Sequence, residues 1–283
     1  MRPLNKINSA FVTTIGTTDS LSFTLHLIDN VGSYCMLCEK SIAAHEVIHH
    51  RLFAEMPESI TQNDLNHALI VCSECHSYRD EIQLNAENID KYLWPDLDSS
   101  FSINTQSPII YSKKKVRYIV ESSTGTVSDD VRDMVIVEPN SAAENLLQSK
   151  AQNTIDLYKL NTRHHIAEEN IIRIPLEDEL VLTDHRIRER NFAWDAAENA
   201  ANRLLAVLDN VKNQPKILDI FHKQITMTAQ AKGNWSVWMT VFWNKFKDSE
   251  LLRKIFIEPR NDEKPELGII KHFNGTHVER ILW

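Results

Sequence analysis

All four cysteines of this chain fall in two C-x-x-C pairs, and no other feature restricts the fold as strongly. The first pair is Cys35 and Cys38, and the second is Cys72 and Cys75. Each pair places two thiols on one tight turn, which supplies half of a tetrahedral metal site. In a reducing compartment this pattern is typical of metal binding and not of disulfides. We therefore predict one zinc ion bound by the four cysteines.

Composition limits the classes of protein to which the chain can belong. Its 283 residues suffice for one large domain or two modest ones, and 42% hydrophobic with 25% charged residues is ordinary for a soluble globular protein. Because the formal net charge is -8, contact with nucleic acid would need a local basic patch. No apolar run approaches the roughly 18 residues that a membrane span needs. The N-terminal stretch "MRPLNKINSAFVTTIGTTDS" lacks an apolar signal core, so we expect a cytoplasmic protein without membrane contact.

The segment between the two cysteine pairs, residues 39–71, is dense in side chains that bind metals. "HEVIHH", residues 45–50, has the character of a β-strand, and "HALIVC", residues 67–72, is typical of a buried one. "SECHSYRDEIQLN" then has helical spacing, with His76 in its first turn. This order of strand, loop, strand and helix can hold a divalent cation between the hairpin and the helix, with an imidazole beside it.

The combination of "CMLC", "EVIHHRL" and "NHALIVCSECHSYR" resembles the HNH nuclease motif, which is the ββα-metal fold in its four-cysteine, zinc-bearing form. By position, the resemblance implies that His49 and His76 bind a catalytic divalent metal, magnesium or manganese, and that His50 is the general base. His49 stands where the family commonly has Asp or Glu, and imidazole also binds divalent metals. The zinc would be structural, since four cysteines leave no open coordination position.

Two parts of this assignment stay open. The spacing of the family motif, five residues before the second cysteine pair, makes His67 the middle catalytic residue, with its neighbour Asn66 as the alternative. A shifted register would instead use His45 with Glu46 as the ligand pair.

The remainder of the chain predicts the α+β class. A stretch rich in Ser, Asp and Pro, residues 92–108, indicates a boundary. We therefore expect an HNH nuclease domain with its zinc site over residues 1–100. A mixed, then mainly helical region over residues 101–283 would bind a partner or the substrate.

Secondary structure beyond the boundary is predicted from four segments. "YSKKKVRYIVES" and "DMVIVEPN" are β-branched runs that end in turn residues, as strands do. A helix is predicted from Ser141, which would be its cap, because Glu144 follows three residues later. The longest predicted helix, "TDHRIRERNFAWDAAENAANRLLAVLDNV", would be capped by Thr183 or Asp184.

Three further stretches allow more than one interpretation. The basic run Lys113 to Arg117 can follow a phosphate backbone or protect an exposed edge strand. For Arg186, Arg188 and Arg190 we expect a solvated face, with nucleic acid or partner contact as the alternative. "WSVWMTVFWNKF" carries aromatic residues at helical spacing, which predicts core, with a partner interface as the alternative.

The downstream run "VIVEPNSAAENLLQSKAQNTIDLYKLN" resembles the tail of HNH subunits from bacterial anti-phage systems of the Septu and retron-associated kind. The resemblance implies an ABC-type ATPase partner, which we expect to contact the aromatic helix around Trp238 and Phe242. The expected function is a metal-dependent endonuclease that hydrolyses phosphodiester bonds in DNA or RNA, as the effector of an anti-phage defence complex. The alternative is a non-catalytic zinc-binding adaptor for nucleic acid or a protein partner.

Overall fold

The computed structural model describes residues 28, 32–42, 47–50, 68–79, 84–95, 107–122, 124–161, 171–175 and 185–256. The chain is a mixed α and β protein with a mostly helical C-terminal region, as the sequence predicts. No helix in these ranges has the length and apolar character needed to cross a bilayer. In chain order the elements are β1 (Val47–His50), β2 (Ala68–Val71), α1 (Ser73–Arg79), a short 3-10 helix (Ile89–Lys91), β3 (Ile109–Ser122), β4 (Gly125–Pro139), α2 (Asn145–Leu157), β5 (Ile171–Pro175), α3 (Arg186–Val211), α4 (Pro215–Lys232), α5 (Trp235–Phe246) and α6 (Ser249–Phe256).

A short hairpin followed by a helix carries the second cysteine pair. β1 and β2 are antiparallel, with Val47 opposite Val71 and His50 opposite Ala68. All four residues of β2 are buried, as its apolar sequence predicts. After Cys72 the chain turns directly into α1, which packs against β1. The predicted order of two strands and a helix is therefore confirmed.

A second sheet supports the helical region. Its strand order is β4-β3-β5, with β3 antiparallel to β4 and parallel to β5. One face adds Ile109, Tyr111, Val135 and Val137 to the main hydrophobic core. The predicted domain boundary near residue 100 lies outside the described residues.

The basic run on β3 is engaged in ion pairs. β3 pairs with β4 along its whole length, but its pairing with β5 begins only at Arg117, so in the described residues Lys113 to Val116 have a paired strand on one side only. The Lys113 ammonium lies 2.7 Å from a carboxylate oxygen of Asp195 on α3. Two further cations of the run also bind carboxylates: Lys114 binds Glu138, and Arg117 binds Asp129. Surface pairs of this kind stabilise little, but they occupy cations that a phosphate backbone would need.

The aromatic helix α5 is the centre of the helical layer. α3 packs against α4 and α5 through a face that carries small residues one turn apart, Ala193, Ala197 and Ala201. Trp238 and Phe242 on α5 are fully buried, which confirms the prediction of core. Neither side chain reaches the surface, so these two residues cannot make the expected ATPase contact, and the ATPase partner itself stays a prediction.

The predicted cap of α2 is wrong. α2 begins at Asn145 after Glu144, and not after Ser141, because the Asn140 side chain accepts a hydrogen bond from the Ala142 N–H and forms a turn there. α3 begins after His185. Thr183 and Asp184 lie outside the described residues.

The first cysteine turn docks on the junction between α4 and α5. The Glu39 carboxylate, 4% exposed, accepts hydrogen bonds from the Ser236 N–H and hydroxyl, each at 2.7 Å. A carboxylate at a helix N-terminus is favoured because unpaired N–H groups point there. Gly233 has a φ of 67°, and a Cβ there would lie 2.8 Å from the Glu39 carbonyl oxygen. This close approach requires glycine.

We expect Gly233→Ala to separate the cysteine turn from the helices. The new methyl would meet backbone atoms of Glu39 and Ser41, at 2.8 and 2.9 Å, which cannot rotate away. The free energy of unfolding should fall by about 3 kcal/mol, the upper range for local strain. Urea denaturation measures it.

The matched control is Gly125→Ala. Gly125 also has a positive φ, 132°, but a Cβ there would meet nothing within 4 Å. Gly125→Ala should lower the free energy of unfolding by only about 1 kcal/mol. Equal losses for the two variants would show that the docking contact contributes nothing.

Candidate metal centre

The structure brings the four cysteines together in one buried cluster. Cys35 and Cys38 lie on a turn, Cys72 follows β2, and Cys75 lies in α1. All four sulfur atoms lie within 4.8 Å of one another, and those of Cys38 and Cys72 are 3.6 Å apart. Tetrahedral zinc with Zn–S bonds of about 2.3 Å needs sulfurs about 3.8 Å apart. The cluster can therefore hold a metal such as zinc, and its all-sulfur composition favours zinc over magnesium or calcium.

Main-chain groups shape both cysteine turns in the same way. The N–H of Cys38 points at the sulfur of Cys35, and the N–H of Cys75 at that of Cys72, each at 3.5 Å. Such donors favour the thiolate form that binds metal. The first turn also joins the hairpin, since the Met36 N–H donates to the β2 carbonyl of Ile70 at 2.8 Å.

Because the four thiols lie so close together, their pKa values shift in opposite directions. Burial by itself would raise the pKa of Cys35, but hydrogen bonds with Cys38, Cys72 and Cys75 hold that pKa well below its usual value. Burial raises the pKa of Cys75 well above its usual value. Metal binding must displace the remaining protons, so metal affinity should fall as the pH falls.

An ion pair crosses the cluster from the first turn to α1. The Lys40 ammonium lies 2.6 and 2.7 Å from the two carboxylate oxygens of Glu74. Burial alone would lower the pKa of Lys40, but the hydrogen bond to Glu74 raises it above its usual value. Lys40 therefore stays charged beside the cysteine turns and connects them independently of a metal.

Arg186 reaches the cluster from the start of α3. Its Nη1 lies 3.5 Å from the Cys75 sulfur and donates to the Tyr158 carbonyl oxygen at 2.6 Å. Its Nη2 donates to the Lys159 carbonyl oxygen at 3.0 Å. Arg186 is only 2% exposed, so the predicted solvated position is wrong for it.

Arg190 is buried one turn later, and the solvated prediction is wrong for it too. It is 1% exposed and donates to the carbonyl oxygens of Leu160 and Val135. Arg188, between the two, is exposed as expected. A sequence signal for this burial existed: positions 186, 190, 193, 197 and 201 continue one helical face, and its later members are alanines.

The nuclease-motif histidines lie in the hairpin and helix next to the cluster. His49 and His50 are in β1, where their backbones pair with Leu69 and Ala68. His76 follows Cys75 in the first turn of α1, and its side chain is half-buried. Four other candidates lie outside the described residues: His45, Glu46, Asn66 and His67.

Comparisons of the chain with protein-family models, with curated proteins and with solved structures return no match. Function must therefore be argued from this chain's own residues. Those residues are the cysteine cluster and the hairpin and helix that contact it.

We expect the purified protein to contain one zinc per chain, measured by elemental analysis. Cys72→Ser should lose the metal and lower the melting temperature, because metal binding and folding are coupled at such sites. Ser77→Ala, an exposed position on the same helix, should change neither. Well-folded wild-type protein that contains no zinc would overturn the prediction.

Proposed function

We propose that this chain is a metal-dependent HNH-type endonuclease that hydrolyses phosphodiester bonds in DNA or RNA. The observation that carries the proposal is the packing of β1, with His49 and His50, against α1, with His76. α1 starts at the cysteine cluster, so the cluster fixes where that helix begins. Two strands followed by a helix, with histidines in the sequence of both β1 and α1, support this proposal.

The roles follow from the chemistry of the side chains. His49 and His76 would bind a divalent ion, which when present polarises the scissile phosphate and neutralises charge on the leaving oxygen. Magnesium or manganese suits this role. His50 would accept a proton from the attacking water. His67 or Asn66 would orient that imidazole or contact the phosphate.

The partners are part of the same proposal. Nucleic acid is the substrate, and an ABC-type ATPase would recruit or trigger the nuclease in an anti-phage defence complex. The acidic net charge of -8 supports a need for such a partner, because the chain as a whole repels phosphates. The ion pairs of the β3 basic run support it further, since they reduce the positive charge available there.

A zinc-binding adaptor without catalytic activity is the second candidate. It is favoured by the cysteine cluster, whose four sulfurs would close the coordination shell of a zinc ion and leave no site for substrate. It gives no reason for histidines at three motif positions. Mutation of those histidines distinguishes the two candidates.

We expect His50→Ala to lower the rate of metal-dependent plasmid nicking or RNA cleavage by about two to four orders of magnitude, the usual effect of a lost general base. Zinc content and melting temperature should stay unchanged. His49→Ala and His76→Ala should also lose activity, but excess manganese should restore part of it.

His45→Ala is the control for register and should cleave at the wild-type rate. If His45→Ala is inactive while His50→Ala is active, the ligand pair is His45 with Glu46. If all four variants behave like the wild type, the stretch is scaffold and the adaptor is the better description.

A further inference from the structure

We propose that Arg186 is the charge partner of the metal centre and stabilises the metal-bound thiolate of Cys75. The inference rests on the zinc proposed for the cysteine cluster and does not depend on nuclease activity. Nothing in the sequence motif points to Arg186, which lies 111 positions after Cys75. Its role follows from the contacts of its guanidinium.

The first step is the charge of the centre. A divalent ion with four thiolates carries a net charge of -2. The cysteines that hold it are 0% to 6% exposed, so water compensates little of this charge. Buried charge of this kind is stable only beside hydrogen-bond donors or opposite charge. Lys40 is shared with the Glu74 carboxylate, so that pair adds little net charge.

The second step is the position of the guanidinium. Arg186 is always protonated, and its Nη1 points at the Cys75 sulfur from 3.5 Å. The same group donates to the carbonyl oxygens of Tyr158 and Lys159, just beyond the end of α2. Its central carbon also lies 5.0 Å from the centre of the Tyr78 ring. These contacts fix the planar group in one orientation, which a lysine cannot reproduce.

The third step is the consequence for the fold. One side chain joins the metal ligand on α1 to the end of α2 and the start of α3. Loss of the metal would remove the charged centre that the guanidinium faces and weaken its contact with the Cys75 sulfur. Metal retention and the anchoring of the start of α3 at the cysteine cluster are therefore coupled through Arg186.

The test is the zinc affinity of three variants, measured by competition with a chromophoric chelator. Partners of metal ligands typically change metal affinity by about 10- to 100-fold. Arg186→Met should weaken zinc binding by that factor, and Arg186→Lys should fall between it and wild type. Arg190→Met is the matched control, since Arg190 is equally buried on the same face but donates to the carbonyl oxygens of Val135 and Leu160. It should lower the melting temperature and leave zinc affinity within about twofold of wild type.

A spectroscopic measurement separates a charge partner from a purely structural residue. In cobalt(II)-substituted protein, loss of the cation beside Cys75 should move the sulfur-to-cobalt charge-transfer band to lower energy, because the thiolate becomes more electron-rich. Arg190→Met should not move it. If Arg186→Met does not fold, the affinity and spectrum of Arg186→Lys decide.

The outcomes separate the two proposals. Wild-type protein that binds neither zinc nor cobalt overturns the metal centre itself. Wild-type protein that binds zinc while the Arg186 and Arg190 variants match in affinity and spectrum overturns only the role of Arg186.

Discussion

The docking of the first cysteine turn is the constraint on which the rest of the structure depends. This turn contacts three elements that are distant in sequence. Met36 hydrogen-bonds to β2, Lys40 pairs with Glu74 on α1, and Glu39 accepts hydrogen bonds at the start of α5. The cysteine cluster thus lies where the hairpin, its helix and the helical layer meet. A metal bound there would hold all three together. It would therefore stabilise the contact between these parts of the protein as well as the cysteine turns themselves.

The proposed chemistry divides two metal functions between different ligand types. Sulfur ligands bind zinc tightly and, as a set of four, exclude substrate from the ion. Imidazoles that leave room for water suit a hard divalent ion at which hydrolysis occurs. Cys75 and His76 are adjacent in sequence, so one turn of α1 would serve both sites. Any shift of this turn would therefore move His76, the proposed ligand of the catalytic metal, together with Cys75, the proposed ligand of the zinc.

Local patterns predicted much of this fold, and contacts distant in sequence explain most of the errors. The cysteine spacing predicted the cluster, and periodicity predicted the hairpin, α1, β3, β4 and the buried α5, because each depends on neighbouring residues. The Ser141 cap failed because a helix start depends on one turn of backbone, here formed by Asn140. The burial of Arg186 was missed because its partners are carbonyls and a sulfur on other elements, which composition does not reveal.

The contact between Glu39 and Ser236 has a consequence for the order of events during synthesis. The turn that carries the first two cysteines can contact β2 and α1 early, but it cannot dock on the helical layer until the start of α5 has left the ribosome. Roughly 160 residues separate Cys75 from Ser236, which at about 5–20 residues per second is a delay of about 10 to 30 seconds. During this time all four thiols exist without their helical cover. Capture of a metal in that interval would protect the nascent cysteines from oxidation before the protein can bury them.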